Sequence, residues 1–143
     1  MLPDSALGSL DDILGLRIRL AHGAVQRDFG EHFADLGLTQ KQVSVLWLVG
    51  ETPGTAQTDL AQRLQMDRAT TMAIVHALEK RGLLTRQRKR GDARKVALML
   101  SDEGQDALAT ARRAIGEHEA WLHRRFTKAE VATLVALLAR IHG

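Results

Sequence analysis

Cysteine is absent from the 143 residues, which excludes disulfides, thiolate metal sites and cysteine redox switches. Aromatic residues make up only 3% of a chain that is 45% hydrophobic, so Leu, Ala, Val and Ile must build the core, a composition typical of helical packing. No apolar run approaches the roughly 20 residues of a membrane span. The opening Met1-Leu2-Pro3-Asp4 lacks the basic and apolar regions of a secretory signal. The expectation is a cytoplasmic protein without membrane contact, long enough at this size to bury a core as a single domain.

Catalytic signatures are missing as well. Gly50-Glu51-Thr52-Pro53-Gly54-Thr55 lacks the Gly-Lys-Ser/Thr ending of a phosphate loop, and no G-x-S-x-G occurs. His118-Glu119 with His123 superficially resembles the zinc-protease H-E-x-x-H. Its histidines are five apart rather than four, so on a helix they diverge by about 140° instead of about 40° and cannot share a metal from one face. His22, His32 and His142 read as surface or satisfied residues, and Trp47 as a core anchor. We therefore expect no catalytic residue, no metal and no cofactor.

What the chain does have is concentrated charge. Between Lys80 and Lys95 stand eight Lys or Arg (Lys80, Arg81, Arg86, Arg88, Lys89, Arg90, Arg94, Lys95) against one acid, Asp92, a local balance of +7 in a chain whose net charge is +3. The remainder is therefore negative, and the positive charge is gathered in one place. A charge run alone is usually a solvated turn. This one directly follows a helix with start and stop signals, which points to nucleic acid, and the pI near 9.8 permits an acidic polymer as partner.

That helix is read from its spacing. Thr71, Ile74, Val75 and Leu78 recur at i, i+3, i+4 and i+7 and form one stripe for burial. Asp67 stands where an N-cap belongs, and Lys80, Arg81 and Gly82 give the opposite signal, cations in the last turn followed by a glycine. Beyond it, Val96, Leu98 and Leu100 alternate as a strand, Leu84 begins a partner strand, and Arg90-Gly91-Asp92-Ala93 has turn chemistry.

The rest of the chain reads as helices. From about Ser9 to Phe33, Leu10, Ile13, Leu14, Ile18, Ala21, Val25, Phe29 and Phe33 form an apolar stripe on a helix of roughly 37 Å, longer than a small core needs. Its surplus suits a second copy of the chain. Thr39 and Gln42 form a capping box, with Leu38 and Val43 as the flanking staple, and Val43, Leu46 and Trp47 turn inward. Leu60, Ala61 and Leu64 mark a short helix that ends just before Asp67. Ser101 can cap a further long helix with Leu108, Ala111, Ile115 and Leu122 inside. Phe126, Thr127, Glu130 and Val131 repeat the box and staple ahead of a last helix carrying Val131, Leu134, Val135, Leu138 and Ile141. Two short helices joined by a tight turn, the second capped and followed by a hairpin, are the parts of a winged helix-turn-helix.

In LAQRLQMDRATT, LEKRGLLTR and GDARKVALMLSDEG the chain resembles the MarR family of bacterial transcriptional regulators. The most specific parts are Leu78-Glu79-Lys80-Arg81-Gly82-Leu83 and the pattern of Asp92, Arg94 and Leu98 leading to Ser101. The resemblance spans nearly the whole of 1–143 as a single domain. It implies a mainly α (α+β) fold, with dimerisation helices at about 9–36 and 102–143 around a winged-helix DNA-binding part at about 38–100. It further implies a homodimer on palindromic double-stranded DNA, recognition helices in successive major grooves and wings along the minor grooves. By position, the helix after Asp67 is the recognition helix, Arg94 the wing arginine, and Asp92 the group that orients it. The expected DNA-binding set is Arg68, Thr70, Met72, Ala73, His76, Lys80, Arg88, Arg90, Arg94 and Lys95.

Against the family pattern, the groove-facing side carries Ala69, Met72 and Ala73. Direct readout then falls chiefly to Arg68, Thr70 and His76, with apolar contact to thymine methyls, arginine in the minor groove and DNA shape supplying more of the specificity. The resemblance also implies a small effector, often an aromatic acid or a derivative, in a cleft between the dimer helices and the winged domain. Arg17, Arg19, His22, Arg27 and Trp47 are the residues expected there, and their cations suit a carboxylate, phosphate or acyl-CoA. The DRATTMAIV segment resembles members that respond to hydroxycinnamoyl-CoA thioesters. The expected function is a repressor released from its operator by such an effector. The alternatives are a weakly specific DNA-compacting protein, or a winged-helix module for RNA or protein.

Overall fold

The computed structural model describes residues 8–88 and 96–143, which fall into two compact units, residues 8–32 with 116–143 and residues 33–88 with 96–115. The second unit contains the winged helix.

In this second unit, α2 (Gln40–Glu51) starts on the expected capping box: Thr39 accepts from the Gln42 N–H at 3.1 Å while Gln42 Oε1 accepts from the Thr39 N–H at 3.0 Å. Its inner face is Val43, Val45, Leu46 and Val49. Trp47, expected as a core anchor, is only half-buried. Its indole N–H donates to Glu51 at 2.8 Å and its ring lies 4.5 Å beneath the Arg112 guanidinium. The side chains of α2 that are wholly enclosed are instead Val45, Leu46 and Val49.

A two-residue strand β1 (Thr55–Ala56), α3 (Gln57–Arg63) and α4 (Arg68–Lys80) follow. Gln65, between the helices, has φ +52, the left-handed geometry that ends α3 within a tight turn. The strands β2 (Leu84–Arg88) and β3 (Val96–Leu100) pair antiparallel in the register Leu84↔Leu100 to Arg88↔Val96. The expected hairpin strands are present, but β1 pairs along the other side of β3, Thr55 opposite Leu98. Two residues are too few to show alternation, so β1 leaves no signal in the sequence. Flanked on both sides and covered by helices, β3 buries the adjacent Ala97 and Leu98 rather than one face alone. The turn residues Arg90-Gly91-Asp92-Ala93 lie outside the described residues.

The helix α5 (Asp102–His123) begins with Ser101, whose Oγ accepts from the Gly104 N–H at 3.0 Å and whose O–H donates to the Gly82 carbonyl at 2.5 Å. One serine thus caps a helix and secures the end of the previous one. Gly104 is required here: a Cβ at this position would stand 2.0 Å from the Leu83 carbonyl oxygen.

In the first unit the expected continuous helix from Ser9 is broken. A 3-10 turn, Leu10–Asp12, is closed by the Asp12 carboxylate accepting from the Ser9 N–H at 3.1 Å. Ile13 is extended, and α1 runs from Leu14 to Phe33. The short acidic side chain competes with the helix for its own backbone. The last helix, α6 (Lys128–His142), starts on the Thr127–Glu130 box and has no buried residue. Leu134, Val135, Leu137, Leu138 and Ile141 are exposed, as are Leu14 and Ile18 of α1. Among the described residues no helix is long and apolar enough to cross a membrane.

Candidate DNA interface

Burial orients α4. Thr71, Val75 and Leu78 are wholly enclosed, and the Thr71 hydroxyl donates to the Asp67 carbonyl at 2.9 Å, so a polar side chain enters the core already paired. Turned outward are Arg68, Ala69, Met72, Ala73, His76 and Lys80. The exposed face is the expected reading face, and Met72 remains 48% exposed, a large apolar side chain offered to solvent on a helix that does not need it there.

Asp67 fixes where this helix begins. Its carboxylate accepts from the Thr70 N–H at 2.6 Å and from the Thr70 hydroxyl at 2.9 Å. These hydrogen bonds, the backbone one foremost, hold its pKa below the ordinary carboxylate value. They also restrict Thr70: with its hydroxyl proton committed to the cap, it can accept from a base but not donate.

Two of the cations in the run from Lys80 to Lys95 are structural. Arg81 donates to the Gly37 carbonyl at 2.8 Å and to the Leu36 carbonyl at 3.4 Å. Arg86 donates to Glu79 at 2.5 Å. Arg90, Asp92, Arg94 and Lys95 lie outside the described residues, as does the side chain of Arg88, whose backbone ends β2.

Two polar residues absent from the sequence-based set join this face. Gln57 and Thr58, at the start of α3, line a groove of about 440 Å³ with Arg68 and Met72. Gln is among the side chains that can pair bidentately with adenine. Nothing in the spacing of α3 marks them, because the groove arises from the angle between two helices.

The residues expected at an effector fall in both units. On α1, Arg17 donates to the Asp11 carbonyl at 3.1 Å, His22 bonds Gln26 at 3.4 Å, and Arg19 and Arg27 are exposed. On α2, Trp47 stacks with Arg112. Arg112 was not anticipated, and it also borders a cavity of about 300 Å³ with Val49, Gly50, Pro53, Met99, Leu100 and Leu108 as apolar lining.

A three-stranded sheet behind a helix pair whose second helix shows an unpartnered polar and apolar face defines a winged helix of the DNA-binding class. Comparison with known proteins narrows the class. Residues 38–96 match the MarR family model. The chain is 29% identical over 136 residues to a putative transcriptional regulatory protein for the hcr operon of Thauera aromatica, covering 94% of this chain and 82% of that one. A structure of the transcriptional repressor CouR bound to a 23-mer DNA duplex superposes with a TM-score of 0.88 at 35% identity, over 100% of this chain and 99% of the other. CouR bound to p-coumaroyl-CoA gives 0.84 at 35% identity, over 94% and 95%. The chain belongs to the MarR family, and is accordingly a homodimeric, DNA-binding transcriptional regulator with a mainly α, winged helix-turn-helix fold.

Proposed function

We propose that this protein is a repressor that reads a palindromic operator with α4 and the wing, and leaves it when a small aromatic acid or its acyl-CoA thioester binds. The observation that carries the first half is the exposed face of α4, where Arg68, Met72, Ala73 and His76 have no packing duty. Within this reading Arg68 and His76 donate to base edges or phosphates, and Met72 and Ala73 meet thymine methyls. Lys80, Arg88, Arg90, Arg94 and Lys95 neutralise phosphate or enter the minor groove, and Asp92 orients Arg94.

The effector half is supported by the 35% identity to a repressor solved with p-coumaroyl-CoA. Two features of this chain suit such a ligand. Arg17, Arg19 and Arg27 put cations along α1, with the His22 imidazole among them, and these favour phosphate or carboxylate. The cavity bordered by Arg112, on which Trp47 stacks, is mostly apolar with Gln105 and the Arg112 guanidinium as its polar groups, and at about 300 Å³ falls at the small end of ligand sites. Release follows by linkage, since a ligand favouring a dimer misfitted to DNA lowers operator affinity by its differential affinity for the two states.

The test is footprinting on the DNA upstream of the protein's own coding region, repeated with aromatic acids and their CoA esters, p-coumaroyl-CoA first. One discrete protected palindrome, lost on adding an effector, is expected. Continuous protection without boundaries would instead indicate the weakly specific DNA-compacting reading, which the short supply of polar groups at Ala69, Met72 and Ala73 favours. A protected palindrome indifferent to every ligand would leave a regulator and remove the effector.

A further inference from the structure

The metal site that histidine spacing excludes along one helix reappears across two. His118 and His123 do diverge: His123 Nε2 lies 3.0 Å from Glu119, while His118 turns inward and places Nδ1 2.7 Å from Asp28 Oδ2. His32, one helical turn beyond Asp28 on α1, brings its own Nδ1 to 3.2 Å from the same carboxylate oxygen. The three donor atoms lie within 4.8 Å of one another. We propose that Asp28, His32 and His118 bind one divalent transition-metal ion per chain, zinc by the character of the donors, tying α1 to α5 within the first unit.

Burial argues for a built site. Of the described residues in the first unit only Asp28, Phe29 and His118 are buried. A unit with so little enclosed surface spends two of its three buried positions on an ionisable pair, where apolar residues would ordinarily serve as well or better.

The groups around the three donors suit metal ligands held in place. The His118 ring is held edge-on by Phe29 at 5.6 Å and stacked by Trp121 at 6.0 Å with only 11° between planes. Thus two of the five aromatic side chains among three Phe and two Trp wall this one imidazole and hold its plane, as the apolar surroundings of a metal ligand do. Coordination through Nδ1 requires each ring to carry its proton on Nε2. Glu117 Oε2 stands 3.9 Å from His32 Nε2, the side on which a carboxylate partner of a ligating histidine belongs. Asp28, Glu31 and Glu117 make the local field negative.

Geometry sets what must move. Tetrahedral zinc with bonds of about 2.0–2.1 Å keeps its ligands about 3.3 Å apart. The Asp28–His32 spacing of 3.2 Å is already close, and the Asp28–His118 contact of 2.7 Å has only to open from a hydrogen bond to a shared ligation edge. His32 also gives up the bond of 2.9 Å that its Nδ1 makes to the Asp28 carbonyl, a local loss one turn of α1 can absorb. With no thiolate anywhere in the chain, two imidazoles and one carboxylate suit zinc, and leave a position for water or an anion.

The decisive measurement uses the purified full-length dimer, stripped with a chelator and dialysed. Cobalt is added first, for its visible bands in a tetrahedral site, and then zinc against a chromophoric chelator. About one ion per chain is expected, with intense cobalt bands that zinc abolishes, and a melting temperature raised by zinc. The exposed-side variant His32→Gln and the buried variant His118→Asn should each weaken zinc by on the order of 100-fold, while His123→Gln and His22→Gln leave it unchanged. Circular dichroism establishes that His32→Gln is folded. A wild-type protein that shows no cobalt bands and keeps no zinc overturns the proposal, and so does zinc binding that survives in the folded His32→Gln variant at wild-type affinity.

Discussion

At Gly104 a missing side chain decides where α5 starts. The Leu83 carbonyl oxygen would lie 2.0 Å from any Cβ there, and the offending atom is backbone that cannot rotate away. Gly104→Ala should therefore cost about 1–3 kcal/mol or more, read as a fall in the denaturation midpoint at constant slope. A loss of a few tenths would mean that α5 shifts freely. Asp67 makes the opposite kind of contribution. Hydrogen bonding from Thr70 lowers its folded pKa, so its stabilisation is complete above the ordinary carboxylate pKa and is lost as pH falls through the lowered folded value. The gap in melting temperature between wild type and Asp67→Asn should be widest near neutrality and close in acid. A gap independent of pH would mean that the charge of the cap contributes nothing.

At the scale of elements, how far the sequence could be read depends on how local each feature's cause is. The start of α4 was visible because Asp67 and Thr70 are three residues apart, and its buried face because helical spacing repeats within four. The same holds for the boxes at Thr39 and Thr127. The fate of the cations was not visible. Arg81 is taken up by carbonyls 44 and 45 residues earlier, and Arg86 by Glu79, one residue outside the stretch over which charge was counted. The strand β1 and the groove shared by Gln57, Thr58, Arg68 and Met72 exist only once separate elements meet. Likewise Asp28 and His118 are 90 residues apart, and no spacing rule joins them. The wing is the element whose contribution can be read from salt. Since Arg94 would meet phosphate or the minor groove rather than a base edge in the major groove, Arg94→Ala should weaken binding on many sequences alike. It should also reduce the slope of log K against log salt by about 1. Unchanged operator affinity would take the wing out of the mechanism.

For the whole molecule, the decisive surface is one that a single chain leaves uncovered. Every residue of α6 is at least partly accessible, with Val135 61%, Leu138 41% and Ile141 66% exposed, and Leu14 at the start of α1 is 72% exposed. Such a set is far beyond scattered surface apolars and marks an interaction face, and we propose that the second subunit of the homodimer covers it. Two recognition helices can meet successive major grooves, about 34 Å apart, only if the dimer holds them at that spacing. A monomer would contact one half-site and lose the gain from binding both at once. Leu138→Asp places a charge in this proposed interface and leaves the sequence of α4 unchanged. Sedimentation should then report a monomer, with α4 and the sheet intact by circular dichroism and palindrome binding weakened far more than binding to an isolated half-site. If Leu138→Asp sediments as a dimer and binds the palindrome normally, the exposed face of α6 is not what joins the subunits.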